Sequence, residues 1–353
     1  MLKHPAFRYA LAILIGGGAL YLAFHRQHLH RLAEDLEGAN LFVIVAGTLV
    51  MFLSHLVRAW RYKMFLRPIA PHTRLSSAFR ALIAGYATNN FLPRGGDIVR
   101  PVLFSKRENI PISSSVAVML IERLADFIGL TALLGITIFA FRAKLSVEFP
   151  AIELFWLPIA ALLGLLCIFA VLILFSEKKT RRVIEFLARA LPKRFRGAIE
   201  RGAARTEEGL RGVRTGSAVP AIVGTFGISA LYTASMFVST LAFRGTGLMH
   251  VGIVGCFLLQ SMSGIAFILP SPGGTGTYHF LISQALAVMF GVPPALAIAF
   301  ATLTHASNYL LTTVVGILFM MADGISLTSV RKVKVPVAAQ TNDAPEIIRT
   351  TAR

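Results

Sequence analysis

Glu122, Arg123 and Asp126 interrupt an otherwise apolar run over 113–141, about ten residues from its start. A charged side chain at the centre of a bilayer costs roughly 2.5–3.5 kcal/mol on insertion scales, so such groups must be paired, hydrated or in use. At helical spacing Glu122 and Asp126 share a face, with Arg123 beside it. Arg123 is then within reach of Asp126, of Asp97 or of a substrate phosphate. The alternative to binding is a buried ion pair that locks two helices. A second group lies in the stretch Asn89-Asn-Phe-Leu-Pro-Arg-Gly-Gly-Asp-Ile-Val-Arg-Pro101. There Arg94 and Arg100 flank Gly95, Gly96 and Asp97. Guanidinium grips phosphate bidentately, and a helix that starts after a Gly-Gly turn offers free N–H groups to an anion. The competing role for these arginines is to snorkel to the inner leaflet without specificity. A third group follows Leu269-Pro-Ser-Pro-Gly-Gly-Thr-Gly-Thr-Tyr-His279 and comprises Gly273, Gly274, Tyr278, His279 and Gln284, with His305, Asn308 and Tyr309 on the next apolar run. A lone histidine there is more often a hydrogen-bonded helix contact than a catalyst. Neither a metal-ligand cluster, a nucleophile–base spacing nor a phosphate-binding Gly-x-x-x-x-Gly-Lys loop occurs, so no catalytic residue, metal or cofactor is expected.

The elements that carry these residues are set by composition. The chain has 353 residues, 55% of them hydrophobic and only 15% charged. Soluble domains carry nearer a quarter charged residues, so the apolar excess requires a solvent other than water. It comes in long runs, at 9–24, 40–57, 113–141, 152–175, 218–243, 248–269 and 294–322. Most reach the roughly 20 residues that cross a bilayer as helix, and none has the ten-residue alternation of a barrel strand. The fold class is all-α, a polytopic membrane helical bundle. The net charge of +18 sits between the runs, as the positive-inside rule produces, and carries no nucleic-acid role. Cys167 and Cys256 lie mid-span and read as small core residues. Lys3 and Arg8 precede the first run but no small-residue cleavage site follows it, so it is expected to stay as an uncleaved span.

Basic residues orient the spans. Arg58, Arg61, Lys63, Arg67 and Arg74 follow the second run, and a basic loop covers 176–216; both are placed in the cytoplasm, with the two termini. Apolar residues at helical spacing within 176–216 suit either a helix on an anionic leaflet or a solvated connector. The organisation is a transmembrane domain over 1–325 and a mobile basic cytoplasmic tail over 326–353. The two Leu-Pro…Gly-Gly stretches resemble each other, and so do the runs after them: aligning Pro111 with Pro293 pairs Arg123 with His305 and Asp126 with Asn308. This predicts a degenerate internal repeat, about 75–141 and 249–322. Because the charge rule sends spans 113–141 and 294–322 in opposite directions, the repeat is inverted and the two turns are tips of re-entrant hairpins. Irregular backbone at membrane depth must be buried in protein or line a wet cavity, and inverted broken helices are typical of alternating-access transporters. Ordinary interfacial loops are the alternative.

The three motifs Leu92-Pro-Arg-Gly-Gly-Asp-Ile-Val-Arg100, Glu122-Arg-Leu-Ala-Asp126 and Leu269-Pro-Ser-Pro-Gly-Gly-Thr-Gly276 together resemble the flippase-like transmembrane region of lysylphosphatidylglycerol synthases, over about residues 10–325. The resemblance implies an inner-membrane protein that moves anionic or aminoacylated phospholipids or other lipid-linked molecules. Two departures matter: many members have Glu at the positions of Asp97 and His279. The aminoacyl-transfer domain of the full synthases has no counterpart in these residues, so lysyl-lipid synthesis is not expected of them.

The expected function is translocation of an anionic phospholipid or lipid-linked molecule by a multi-pass protein of the cell inner membrane, with lipid and membrane as partners. Arg94, Gly95, Gly96, Asp97, Arg100, Glu122, Arg123 and Asp126 would line one half of a polar cavity. Gly273, Gly274, Tyr278, His279 and His305 would line the other. The alternatives are an enzyme acting on a lipid headgroup, with His279 and Asp97 as acid and base, and a lipid-binding scaffold. Gly16-Gly17-Gly18 and the pair Gly252 and Gly255 offer small faces for close helix contact, within one chain or between copies.

Overall fold

The computed structural model describes residues 5–25, 29–67, 70–92, 94–148, 158, 161–165, 168 and 218–324. Among the described residues the chain forms helices and no strands. They are α1 (Pro5–Phe24), α2 (Leu29–Glu37), α3 (Leu41–Leu66), α4 (Leu75–Phe91), α5 (Gly96–Glu108), α6 (Ile112–Ala140), α7 (Arg142–Glu148), α8 (Ala218–Thr240), α9 (Gly252–Ile268), α10 (Thr277–Phe290) and α11 (Pro294–Ala322). Short 3-10 turns occur at Leu241–Phe243, Gly247–His250 and Pro272–Gly274.

The surface is inverted relative to a water-soluble domain. Phe42 is 89% exposed, Phe139 81% and Leu14 72%, whereas Arg61 and Glu122 are buried. Water would reject such an arrangement; hydrocarbon selects it. Among the described residues, Leu41–Leu66, Ile222–Phe243 and Pro294–Ala322 are each long and apolar enough to cross a bilayer. This is a multi-pass membrane protein.

Small residues govern how the helices meet. The most extensive packing joins α3 to α8. A Cβ on Gly47 would lie 2.4 Å from Ser239 Oγ, and Ser235 Oγ donates to the Gly47 carbonyl at 2.8 Å. Such close backbones give van der Waals contact where no hydrophobic force acts between helices. Helices α4 and α5 form one helix–turn–helix unit, and α9 and α10 form another. Both units lie inside the stretches expected to repeat, about 75–141 and 249–322. α11 packs along both α4 and α10, and α1 lies against α10, with Gly16 seated on Ser271, Pro272 and Thr275.

One expected boundary is wrong. The second apolar run ends at 57, and Arg58 and Arg61 are expected in a cytoplasmic loop after it. Instead α3 continues to Leu66, and both arginines are buried within it. Arginine is a good helix former, and two carboxylates from α6 offset the cost of its burial. The loop over 176–216, the tail over 326–353, Cys167 and most of the run at 152–175 lie outside the described residues.

Candidate functional site

The charged residues assemble where α3, α5 and α6 meet. Asp126 accepts from both α3 arginines, from Arg61 at 2.5 Å and from Arg58 at closer range. Glu122, one turn earlier, lies 3.5 Å from Arg58, 3.6 Å from Arg61 and 2.7 Å from Arg100 of α5. Arg61 also donates to Thr225 Oγ1 of α8 at 2.7 Å. The Arg100 guanidinium sits 4.3 Å over the Tyr62 ring, whose hydroxyl bonds to Ser115. At the margin, Arg123 pairs with Asp97 at 2.6 Å, with side chains 51% and 34% exposed. Arg123 thus reaches Asp97, one of its three expected partners, and leaves Asp126 to α3. Four arginines face three carboxylates, so the cluster keeps one positive charge inside an apolar bundle.

The turn between α4 and α5 differs from the expected anion cradle. Its amides are in use: Gly95 N–H donates to the Leu92 carbonyl at 2.8 Å, Gly96 N–H to Asn89 Oδ1 at 2.7 Å and Asp97 N–H to the Arg94 carbonyl at 3.2 Å. Gly96 serves packing, since a Cβ there would lie 2.1 Å from the Gly85 carbonyl oxygen of α4. Arg94 is exposed and adopts φ 59°, a left-handed conformation that costs a residue with a Cβ roughly 1–2 kcal/mol. Among the described residues of the turn, the Arg94 side chain is exposed and free for a ligand, three residues before Asp97.

The second group forms around the Pro272–Gly274 turn. His305 Nε2 lies 2.9 Å from the Gly273 carbonyl oxygen, which can only accept, so the proton is on Nε2. The His279 ring packs 4.9 Å from that of His305, and its Nδ1 is buried without a partner. Tyr278 bonds to Thr304 at 3.2 Å, while Gln284 faces outward. Gly273 has φ 55°, and a Cβ there would meet Asn90 Oδ1 at 2.8 Å. Only glycine fits both the conformation and the contact. Asn90, in the last turn of α4, donates from its side chain to Thr313 Oγ1 at 2.7 Å, and its backbone carbonyl accepts from the Tyr309 hydroxyl at 2.9 Å. The two turns therefore approach each other through Asn90 and Gly273, over α11.

Tyr278, His305 and Asn308 line a pocket of about 30 Å³ with Thr48 and Ser235. That is room for a water or two, not for a lipid headgroup, and none of the arginines borders it. Among the described residues this pocket borders the histidine group and not the charge cluster, and the two turns meet through Asn90 and Gly273.

The model of a family described as the lysylphosphatidylglycerol synthase TM region matches residues 9–316. The chain belongs to this family. It is 27% identical to the glycosyltransferase AglD of Haloferax volcanii, over 83% of this chain and 51% of that protein. It is 24% identical to UPF0104 membrane protein MJ1595 of Methanocaldococcus jannaschii, over 83% of this chain and 88% of the relative. The chain therefore spans about half the length of AglD. No solved structure matches.

Within this lysylphosphatidylglycerol synthase transmembrane-region chain, all three motifs that carried the resemblance take part in contacts that hold the helices together. Sequence reasoning missed Arg58 and Arg61, the principal partners of Asp126. A signal for them existed. Two acids one turn apart in a span demand buried cations, and arginines three apart immediately after an apolar run present both side chains to one face.

Proposed function

We propose that this chain translocates a lipid with an anionic phosphate headgroup across the cell inner membrane, its termini in the cytoplasm. The observation that carries the reading is the excess of arginine over carboxylate inside the bundle. Its outermost member, Arg123, is half exposed and held by a carboxylate that a phosphate can replace. Arg94, exposed on a strained turn nearby in sequence, supplies a second guanidinium.

The two helix–turn–helix units act as re-entrant hairpins of an inverted repeat. Two observations support this. Neither α4 nor α5 qualifies as a span by length and composition, although both are packed into the bundle. The positions paired by the repeat also each touch a turn: Arg123 holds the Asp97 side chain after the first Gly-Gly, and His305 holds the Gly273 carbonyl in the second. Parting of the two turns would open the arginine side and the histidine side in alternation. The glycosyltransferase name of AglD supports a lipid-linked sugar among the cargoes. The rival reading, an enzyme with Asp97 and His279 as acid and base, gains less support. Asp97 is paired with Arg123, while His279 sits against Phe24, Tyr278 and His305.

The test is transport in proteoliposomes. Purified protein should move a labelled anionic phospholipid or polyprenyl phosphate between leaflets, and Arg123→Ala should slow this at least tenfold while the protein stays folded. Equal rates in parent, variant and protein-free vesicles would remove the translocator reading.

A further inference from the structure

His55 of α3 is 3% exposed, and neither of its ring nitrogens has a hydrogen-bond partner. Imidazole brings one donor and one acceptor, and buried polar groups are rarely left without partners, so an idle pair marks a place that another molecule completes. Around it stand three aromatic rings from three helices. Phe52 of α3 is 5.9 Å away, Tyr86 of α4 4.8 Å and Tyr232 of α8 6.4 Å, by ring centroids. His55 is buried beneath Tyr86 and Tyr232, which are half-buried, so a group that reaches the imidazole must enter between the two phenols. Arg58, one turn along α3, donates to the Tyr232 hydroxyl at 3.5 Å and interacts electrostatically with Tyr86. Tyr86 stands on α4, the helix that leads into the turn before Asp97, the partner of Arg123.

We propose that His55, Tyr86 and Tyr232 form a recognition site for a neutral, polyhydroxylated group, a sugar borne on the phosphate of a lipid. The inference rests on the translocator reading and specifies its cargo. Hydroxyl groups both donate and accept, which matches one imidazole and two phenols, and the C–H faces of a sugar ring lie against aromatic faces. The surroundings exclude the main rivals. A cationic, aminoacylated headgroup needs a free carboxylate. When a phosphate takes Arg123 from Asp97, the deeper carboxylates Glu122 and Asp126 stay paired with Arg58, Arg61 and Arg100, and Arg58 beside the Tyr232 hydroxyl would repel an ammonium. A second phosphate would be drawn to the arginines and leave His55 idle.

The experiment compares binding of lipids to the full chain in nanodiscs of phosphatidylcholine. The probes are polyprenyl phosphate, polyprenyl phosphoglucose of the same chain length, and lysylphosphatidylglycerol. The sugar-bearing lipid is expected to bind about tenfold more tightly than the bare phosphate, the yield of one to two good hydrogen bonds. His55→Phe should bring that ratio near one. Tyr86→Phe and Tyr232→Phe, which remove only a hydroxyl and keep the ring, should each lower it severalfold; they carry the test should His55→Phe fail to fold. A ratio near one in the parent, a ratio that survives all three substitutions, or tightest binding of lysylphosphatidylglycerol would overturn the assignment. Displacement of the lipid by equimolar glucose 1-phosphate would also overturn it, in favour of a soluble sugar phosphate. If polyprenyl phosphate binds but the sugar adds nothing, only the headgroup assignment falls. If neither lipid binds, the translocator reading falls with it.

Discussion

Glu122 faces Arg58, Arg61 and Arg100 at once, and neither of its oxygens makes a well-directed hydrogen bond. It acts as a shared counter-charge, so removing it strands three buried cations beside Asp126 alone. Breaking a buried pair by removing one partner typically costs about 3–5 kcal/mol. Glu122→Gln should therefore lower the thermal stability of the detergent-solubilised protein by that order, and unchanged unfolding would mean the arginines are hydrated rather than paired. Arg94 should behave in the opposite way. Its left-handed backbone favours glycine, so Arg94→Gly should gain about 1 kcal/mol of stability while transport of an anionic lipid falls. A stabilised variant that transports as well as the parent would take Arg94 out of the site. Glu122, Arg123 and Asp126 were legible as functional candidates because charge stands out in an apolar run. Their partners were harder to read: Arg58 and Arg61 follow such a run, where basic residues ordinarily mark the membrane edge, so their three-residue spacing was outweighed until α3 was seen to face α6.

At the scale of elements, both turns were legible almost to the residue, since proline and paired glycines leave a helix few places to end. What those glycines do was not legible. The spacing suggested exposed amides for an anion, but the Asn89 side chain takes the Gly96 amide, and the missing Cβ at Gly96 lets α4 and α5 touch. Gly96→Ala should thus splay the first hairpin. The added methyl meets backbone rather than a flexible side-chain end, so repacking cannot absorb it, and a loss of about 1–3 kcal/mol is expected. Gly17→Ala in α1, where a Cβ meets nothing within 4 Å, is the matched control and should leave stability unchanged. Equal behaviour of the two in thermal unfolding would remove the close approach of α4 and α5 as a structural requirement.

Among the described residues, α11 ties the two units into one body by touching both turns: Asn90 binds Thr313 and Tyr309, and His305 binds Gly273. The arrangement is either a permanent rivet or one resting state of a gate, and contacts in a single conformation are the same for both. A reversible covalent bond separates them. Asn90 and Thr313 lie on packed helices with side chains in hydrogen-bond contact at 2.7 Å, so a cysteine at each position puts two thiols on facing turns of α4 and α11. In a background of Cys167→Ala and Cys256→Ala, the pair Asn90→Cys and Thr313→Cys should transport when reduced, stop when oxidised and recover on reduction. Either single cysteine variant should be insensitive to oxidant. Transport that persists in the fully cross-linked protein would mean the first turn stays fastened to α11 throughout. The lipid would then pass along the outer, half-exposed face of the cluster at Arg123 and Asp97, and any alternation would have to come from movement of the second turn alone.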